Sequence, residues 1–133
     1  MSKQIRTRPA TKQEGQIALQ KAQQFADAAH NEFANERWNS AGLNAIHCGI
    51  SAADAALICA AGIRSTSQDH ANVSSLLERN IASFKGNPRT QLVGLLGMKN
   101  AVAYEQRLIS QSEASRLVTA ADRFLTWSQG NCA

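Results

Sequence analysis

At 133 residues the chain is long enough for one domain with a single hydrophobic core and too short for two. An apolar share of 44% is that of a globular protein, and scarce aromatics (5%) beside abundant alanine favour helices packed closely through small side chains. The net charge of +4 excludes a basic domain: Lys3, Arg6, Arg8 and Lys12 all precede the first acid, Glu14, and the ten basic residues after them meet ten acids.

Residues 1–13 therefore read as a basic, flexible N-terminal arm. Lys3, Arg6, Arg8 and Lys12 on such an arm attract nucleic acid or an acidic partner through salt-sensitive contacts. No apolar segment follows them, so the start does not read as a secretory leader. Residues 14–129 read as an all-α bundle of five helices with no strand, and 130–133 as a short tail. The first helix is predicted from about Glu14 to Glu36, where Ala18, Ala22, Phe25, Ala29 and Phe33 form one stripe at helical spacing. The second, from about Trp38 to Ala61, is apolar on most sides and should be the central helix, stopped by Gly62. Its run from Leu43 to Ala53 is too short to span a bilayer and contains Asn, His and Ser, so no membrane contact is expected.

A loop, "RSTSQD", leads to a shorter helix from about His70 to Phe84, with Asp69 or Ser67 as cap. The fourth helix opens at Pro88 with Asn87 as cap and buries Leu92, Leu95, Leu96 and Val102. Ser110 and Glu113 have the capping-box spacing that opens the fifth, which buries Ala114, Leu117, Ala121 and Phe124 and frays near Gly130. Short connections make this an up-and-down bundle of four long helices plus a short one. Cys48, Cys59 and Cys132 are an odd set without a CxxC pair, and they read as small core residues of a cytoplasmic protein rather than a disulfide framework.

Three constellations bear on function. Ser40, Asn44, His47, Ser51 and Asp54 step by four, three, four and three along the second helix, which makes one continuous polar seam. The seam lacks Lys and Glu, the usual coat of a solvated face, and suits a hydrogen-bonded groove or interface. His47 and Asp54 are ~10 Å apart along such a helix, too far to share one ion, and no metal or cofactor motif is present. Beside the seam, Ala45, Gly49, Ala52 and Ala56 allow close approach of another helix, from this chain or from a second subunit. Arg64 and His70 flank the loop as an Arg–x5–His pair, a pattern able to hold a phosphate and move a proton in RNA cleavage. Lys99 and Tyr104 form a weaker pair, ~140° apart on a helix.

The segments "RWNSAGLNAIHCGISAADAALICAAGIRS", "DH" ahead of a helix ending "LLER", and "LLGMKNAVAYEQRLISQSEASRLVTAADRFL" resemble the HEPN superfamily, in particular small bacterial members with "AIHxxIxAxDA" on the central helix. The resemblance covers about Ala18 to Leu125. It implies a helical bundle, usually a homodimer, whose catalytic members are metal-independent RNases, including toxins of toxin–antitoxin pairs. Their active sites use an Arg–x4-6–His motif near the fourth helix, where this chain has "KNAVAY". Asn100 fits that pattern, but Lys99 stands in the arginine position and Tyr104 in the histidine position. An unperturbed tyrosine titrates near ~10 and shuttles protons poorly at neutral pH. The resemblance thus implies a non-catalytic cytoplasmic homodimer that binds RNA or a partner protein encoded nearby. The alternative is a metal-independent endoribonuclease using Arg64 and His70, or Lys99 and Tyr104.

Overall fold

A computed structural model gives the fold and describes residues 4–67 and 69–133. Helix α1 (Lys12–Ala34) starts two residues earlier than the apolar stripe suggests, because Thr11 and Glu14 close a capping box. The Thr11 hydroxyl accepts from the Glu14 amide at 3.1 Å and the Glu14 carboxylate accepts from the Thr11 amide at 3.0 Å. A three-residue turn with Glu36 in the left-handed region (φ 61°) reverses the chain into α2 (Trp38–Ala61). Gly62 (φ 66°) ends α2 with its amide on the Ile58 carbonyl.

The remaining helices are α3 (His70–Asn80), α4 (Asn87–Gly97), α5 (Lys99–Ala103) and α6 (Gln111–Asn131). The all-α bundle expected from the periodicity is present, with three departures in its elements. The third helix stops at Asn80, and Ala82–Phe84 continue as a 3-10 turn. The fourth breaks at Met98, so α4 and α5 replace one long helix. Glycine at positions 94 and 97 weakens helix propensity there, and residues 104–110 are irregular. The fifth runs through Gly130 to Asn131, so 130–133 is an anchored helix end rather than a tail.

A further departure concerns the arm. Thr7–Pro9 forms strand β1, paired antiparallel with β2 (Ile63–Ser65), so Arg8 faces Arg64 across the ladder. Ala10 donates to the Gly62 carbonyl at 2.9 Å and Thr66 donates to the Arg6 carbonyl at 3.1 Å, which extends the ribbon at both ends. Arg6 and Arg8 thus belong to a ribbon held against the bundle, not to a flexible arm, and Lys12 lies in the first turn of α1. Lys3 lies outside the described residues. The strand escaped prediction because three mostly exposed residues, "TRP", carry no alternating pattern.

Helix α2 is the core. It packs against α1, α3, α4, α5 and α6, and twelve of its residues are buried. By length and composition alone this helix would pass as a membrane span; its apolarity on most sides is explained by burial between the other helices. Direction follows from paired contacts. Phe33 meets Trp38, and Gly15 lies against Ile58 and Cys59, so α1 and α2 are antiparallel. Gly42 lies against Leu117, the Ser128 hydroxyl donates to the Ala52 carbonyl at 2.7 Å, and Cys59 is bonded to Cys132, so α2 and α6 are parallel.

That last bond overturns the reading of all three cysteines as unpaired core residues. Only Cys48 is a free, buried thiol, and burial pushes its pKa up to about 12. Cys59 and Cys132 lie 73 positions apart, a separation at which sequence gives no sign of pairing. The disulfide also removes the ground on which the cysteines suggested a reducing compartment.

Candidate functional site

The polar seam of α2 does not work as one unit. At its start, Asn44 donates to the Ser40 carbonyl on its own helix at 2.9 Å. The Glu32 carboxyl is held below its ordinary range by Arg37 first, with Ser40 helping. In the middle, the His47 ring stacks on Phe25 with centroids 5.3 Å apart. Ser40 and His47 thus tie α2 to α1, while Asn44 bonds back onto its own helix. Ser51 and Asp54, at the far end, open into a cleft with charged neighbours.

That cleft has a volume of about 190 Å³ between α1, α2 and the ribbon. Glu14, Ile17, Ala18 and Lys21 come from α1, Ser51, Asp54 and Ile58 from α2, and Arg64 from β2. The α1 members sit at helical spacing (14, 17, 18, 21), which puts them on one face. Burial raises the Asp54 pKa, and the positive charges of Arg64 and Lys21 partly offset that rise. Among the described residues Asp54 has no ion pair within 4.0 Å and no hydrogen-bond partner. Lys21 lies on the polar side of the α1 stripe, and its seven-residue spacing from Glu14 is the one sequence signal that links it to this face.

On its other side Asp54 lines a narrow gap with Ile50, Ala53, Val73, Leu92, Leu96 and His70. Asp69 caps α3 by accepting from the Ala71 amide at 3.0 Å, and so fixes His70 in the first helical turn. The His70 pKa is lowered, first by burial and then by the positive charge of Lys99, with His47 adding to it against Asp69. Arg64 and His70 therefore lie on either side of Asp54, each lining a cavity with it, and Lys99 is within electrostatic reach of His70. Tyr104 does not join them. It follows α5 and is 70% exposed.

The small-residue face of α2 is occupied within the chain. A Cβ on Gly49 would stand 2.7 Å from Leu95 Cδ1, and one on Gly42 would stand 2.8 Å from Ile109 Cδ1. Helix α4 and the segment before α6 fill the space that a second subunit would need. Among the described residues no group of three His, Cys, Asp or Glu side chains is arranged to hold a metal ion.

The ribbon adds the strongest charge feature. Arg8 and Arg64 are directly opposed, and the strand period of two puts Arg6 on the same face. Like charges placed across a ladder repel and destabilise the pair unless an anion lies between them. No protein-family model matches the chain, and no curated protein is similar enough to count as a relative.

Proposed function

We propose that the chain is a HEPN-type bundle that binds RNA without cleaving it, as a bacterial cytoplasmic homodimer or with a partner protein encoded nearby. The observation that carries this reading is the opposed pair Arg8–Arg64 with Arg6 beside it. Guanidinium groups set close together along a ribbon suit successive phosphates, since each offers a planar fork of donors. Lys12 adds charge at the start of α1 and Lys21 nearer its middle. The exposure of Tyr104, which stands in the histidine position of the resembled motif, favours a non-catalytic protein. Dimerisation rests on the resemblance alone, since the small-residue face of α2 is filled within the chain.

Binding to poly(U) should weaken as salt rises. Arg8→Ala and Arg64→Ala should each weaken binding across sequences and lower the slope of log affinity against log salt by ~0.7 per lost phosphate contact. Absence of binding at low salt overturns the reading. A monomer mass by light scattering at micromolar concentration removes the homodimer.

One observation favours the second reading, a metal-independent endoribonuclease. Asp54 lines both the cleft holding Arg64 and the gap holding His70. A histidine with a lowered pKa is neutral at physiological pH and able to accept a proton. RNA cleavage in EDTA that His70→Ala abolishes would establish this reading over the first.

A further inference from the structure

We propose that the Cys59–Cys132 disulfide is a reducible clasp that holds the Arg8–Arg64 ribbon on the bundle. Position is the first argument. Cys59 is in the last turn of α2, three residues before Gly62 and four before β2 begins. Cys132 caps the C-terminus of α6. The bond therefore fixes the end of α2 from which the ribbon springs, using the far end of the chain as anchor.

The packing around the bond points the same way. Gly15 of α1 comes so close that an added Cβ would stand 3.0 Å from the Cys59 sulfur. Gln16 donates to the Cys132 carbonyl at 3.4 Å. Ala10, at the end of β1, donates to the Gly62 carbonyl. One covalent bond thus gathers the end of α2, the end of α6, the start of α1 and the exit of β1. Beyond the bond, Ile5 and Ile63 rest against the core and Ser65 is buried, but all of β1 is exposed and a two-stranded ribbon is marginal by itself.

Access is the second argument. The disulfide lines an open cleft of about 360 Å³ with Ala10, Lys12, Ile58, Gly62, Asn131 and Ala133. Cys48 makes the contrast, as a buried thiol with no exposure. Lys12 places a positive charge at the cleft, which favours a cysteine leaving as thiolate.

The reductant is a dithiol. One of its thiolates attacks a sulfur of the bond, and the S–S electron pair leaves on the other cysteine. The second thiolate of the reductant then opens the mixed disulfide. The dithiol becomes a disulfide, and its two protons end on Cys59 and Cys132. In the bonded form the Cys132 sulfur lies 3.5 Å from the Ala55 carbonyl oxygen, which gives the thiol formed on reduction an acceptor close by. The bundle has its own core and stays folded, while the end of α2 and the ribbon gain freedom. The consequence for RNA rests on the proposed function above, because a loosened ribbon no longer presents Arg6, Arg8 and Arg64 together.

The test is amide hydrogen exchange on the full chain, oxidised and then treated with dithiothreitol, with poly(U) affinity measured in both states. Reduction should speed exchange at Ala10 and Thr66, the amides bonded to Gly62 and Arg6, by about tenfold or more while amides in the middle of α2 stay protected. The double variant Cys59→Ser, Cys132→Ser should exchange like the reduced protein and ignore dithiothreitol. Unchanged exchange at Ala10 and Thr66 overturns the proposal, as does loss of protection along the whole of α2, which makes the bond a general staple. If the ribbon responds but poly(U) binds in neither state, the clasp stands and the RNA reading falls.

Discussion

Asp54 and His70 share a narrow gap, and their pKa values are displaced in opposite directions. Burial raises the Asp54 carboxyl, so its ionised form is the one the fold disfavours. An acid whose folded pKa is raised makes the folded state less stable as pH climbs from the unfolded value, near 3.8, through the raised one. Asp54→Asn should therefore raise the melting temperature at pH 7 by roughly 2–4 °C and flatten this part of the pH profile. A lower melting temperature would instead mark the carboxylate as a needed partner of Arg64. His70 gives the complementary case. Its folded pKa is lowered, so its contribution is present above the unfolded value, near 6.5, and is lost as pH falls toward the folded value. Urea midpoints measured at pH 7.5 and 5.5 should drop less in His70→Gln than in the parent. Equal drops would show that His70 titrates without hindrance. Of this site, Arg64, His70 and Asp54 were each visible in the sequence, but their meeting was not. The loop 66–69 gives no spacing rule, and which face of α2 meets α3 depends on packing rather than on local pattern.

Glycines at the level of elements separate crowding from propensity. Gly49 sits in the middle of α2 where an added Cβ meets the end of the Leu95 side chain, while Gly94 sits inside α4 with nothing within 4 Å. Both substitutions to alanine gain ~1 kcal/mol of helix propensity. At Gly49 the gain is opposed by overpacking of about 1–3 kcal/mol, so Gly49→Ala should be neutral to destabilising. Gly94→Ala should stabilise by the propensity gain alone. Denaturant unfolding of the two variants checks the pair, and a stabilising Gly49→Ala would mean that Leu95 moves aside freely. The same local forces explain which elements the sequence revealed. The stripes of α1, α3 and α6, the Gly62 stop and the Ser110–Glu113 capping box all follow from spacing within one helix, and the Ser110 and Glu113 side chains cap each other's backbone at 3.0 and 3.1 Å. The ribbon depends on residues 7–9 finding 63–65 across two intervening helices, which no local pattern encodes.

For the whole molecule, the disulfide is the longest constraint and sets a balance that can be measured. It closes a loop across 73 positions, more than half of the chain. Chain entropy puts the stabilisation from a loop of that size at ~4 kcal/mol, chiefly by restricting the unfolded ensemble. A domain of this size has a net stability of about 5–15 kcal/mol. The core has apolar packing of its own, because Ile46 and Leu57 of α2 and Leu77, Phe84, Leu92, Leu95 and Phe124 against it are fully buried. Reduction should therefore lower the urea midpoint yet leave a folded, cooperative domain. The denaturant slope should rise, because an uncrosslinked unfolded chain exposes more surface. Urea titrations with and without dithiothreitol read both quantities. An unchanged midpoint would mean that the unfolded chain is already restricted without the bond. A non-cooperative transition would mean that the end of α2 and the end of α6 support the core beyond their own contacts, and that redox state governs the whole fold rather than one ribbon.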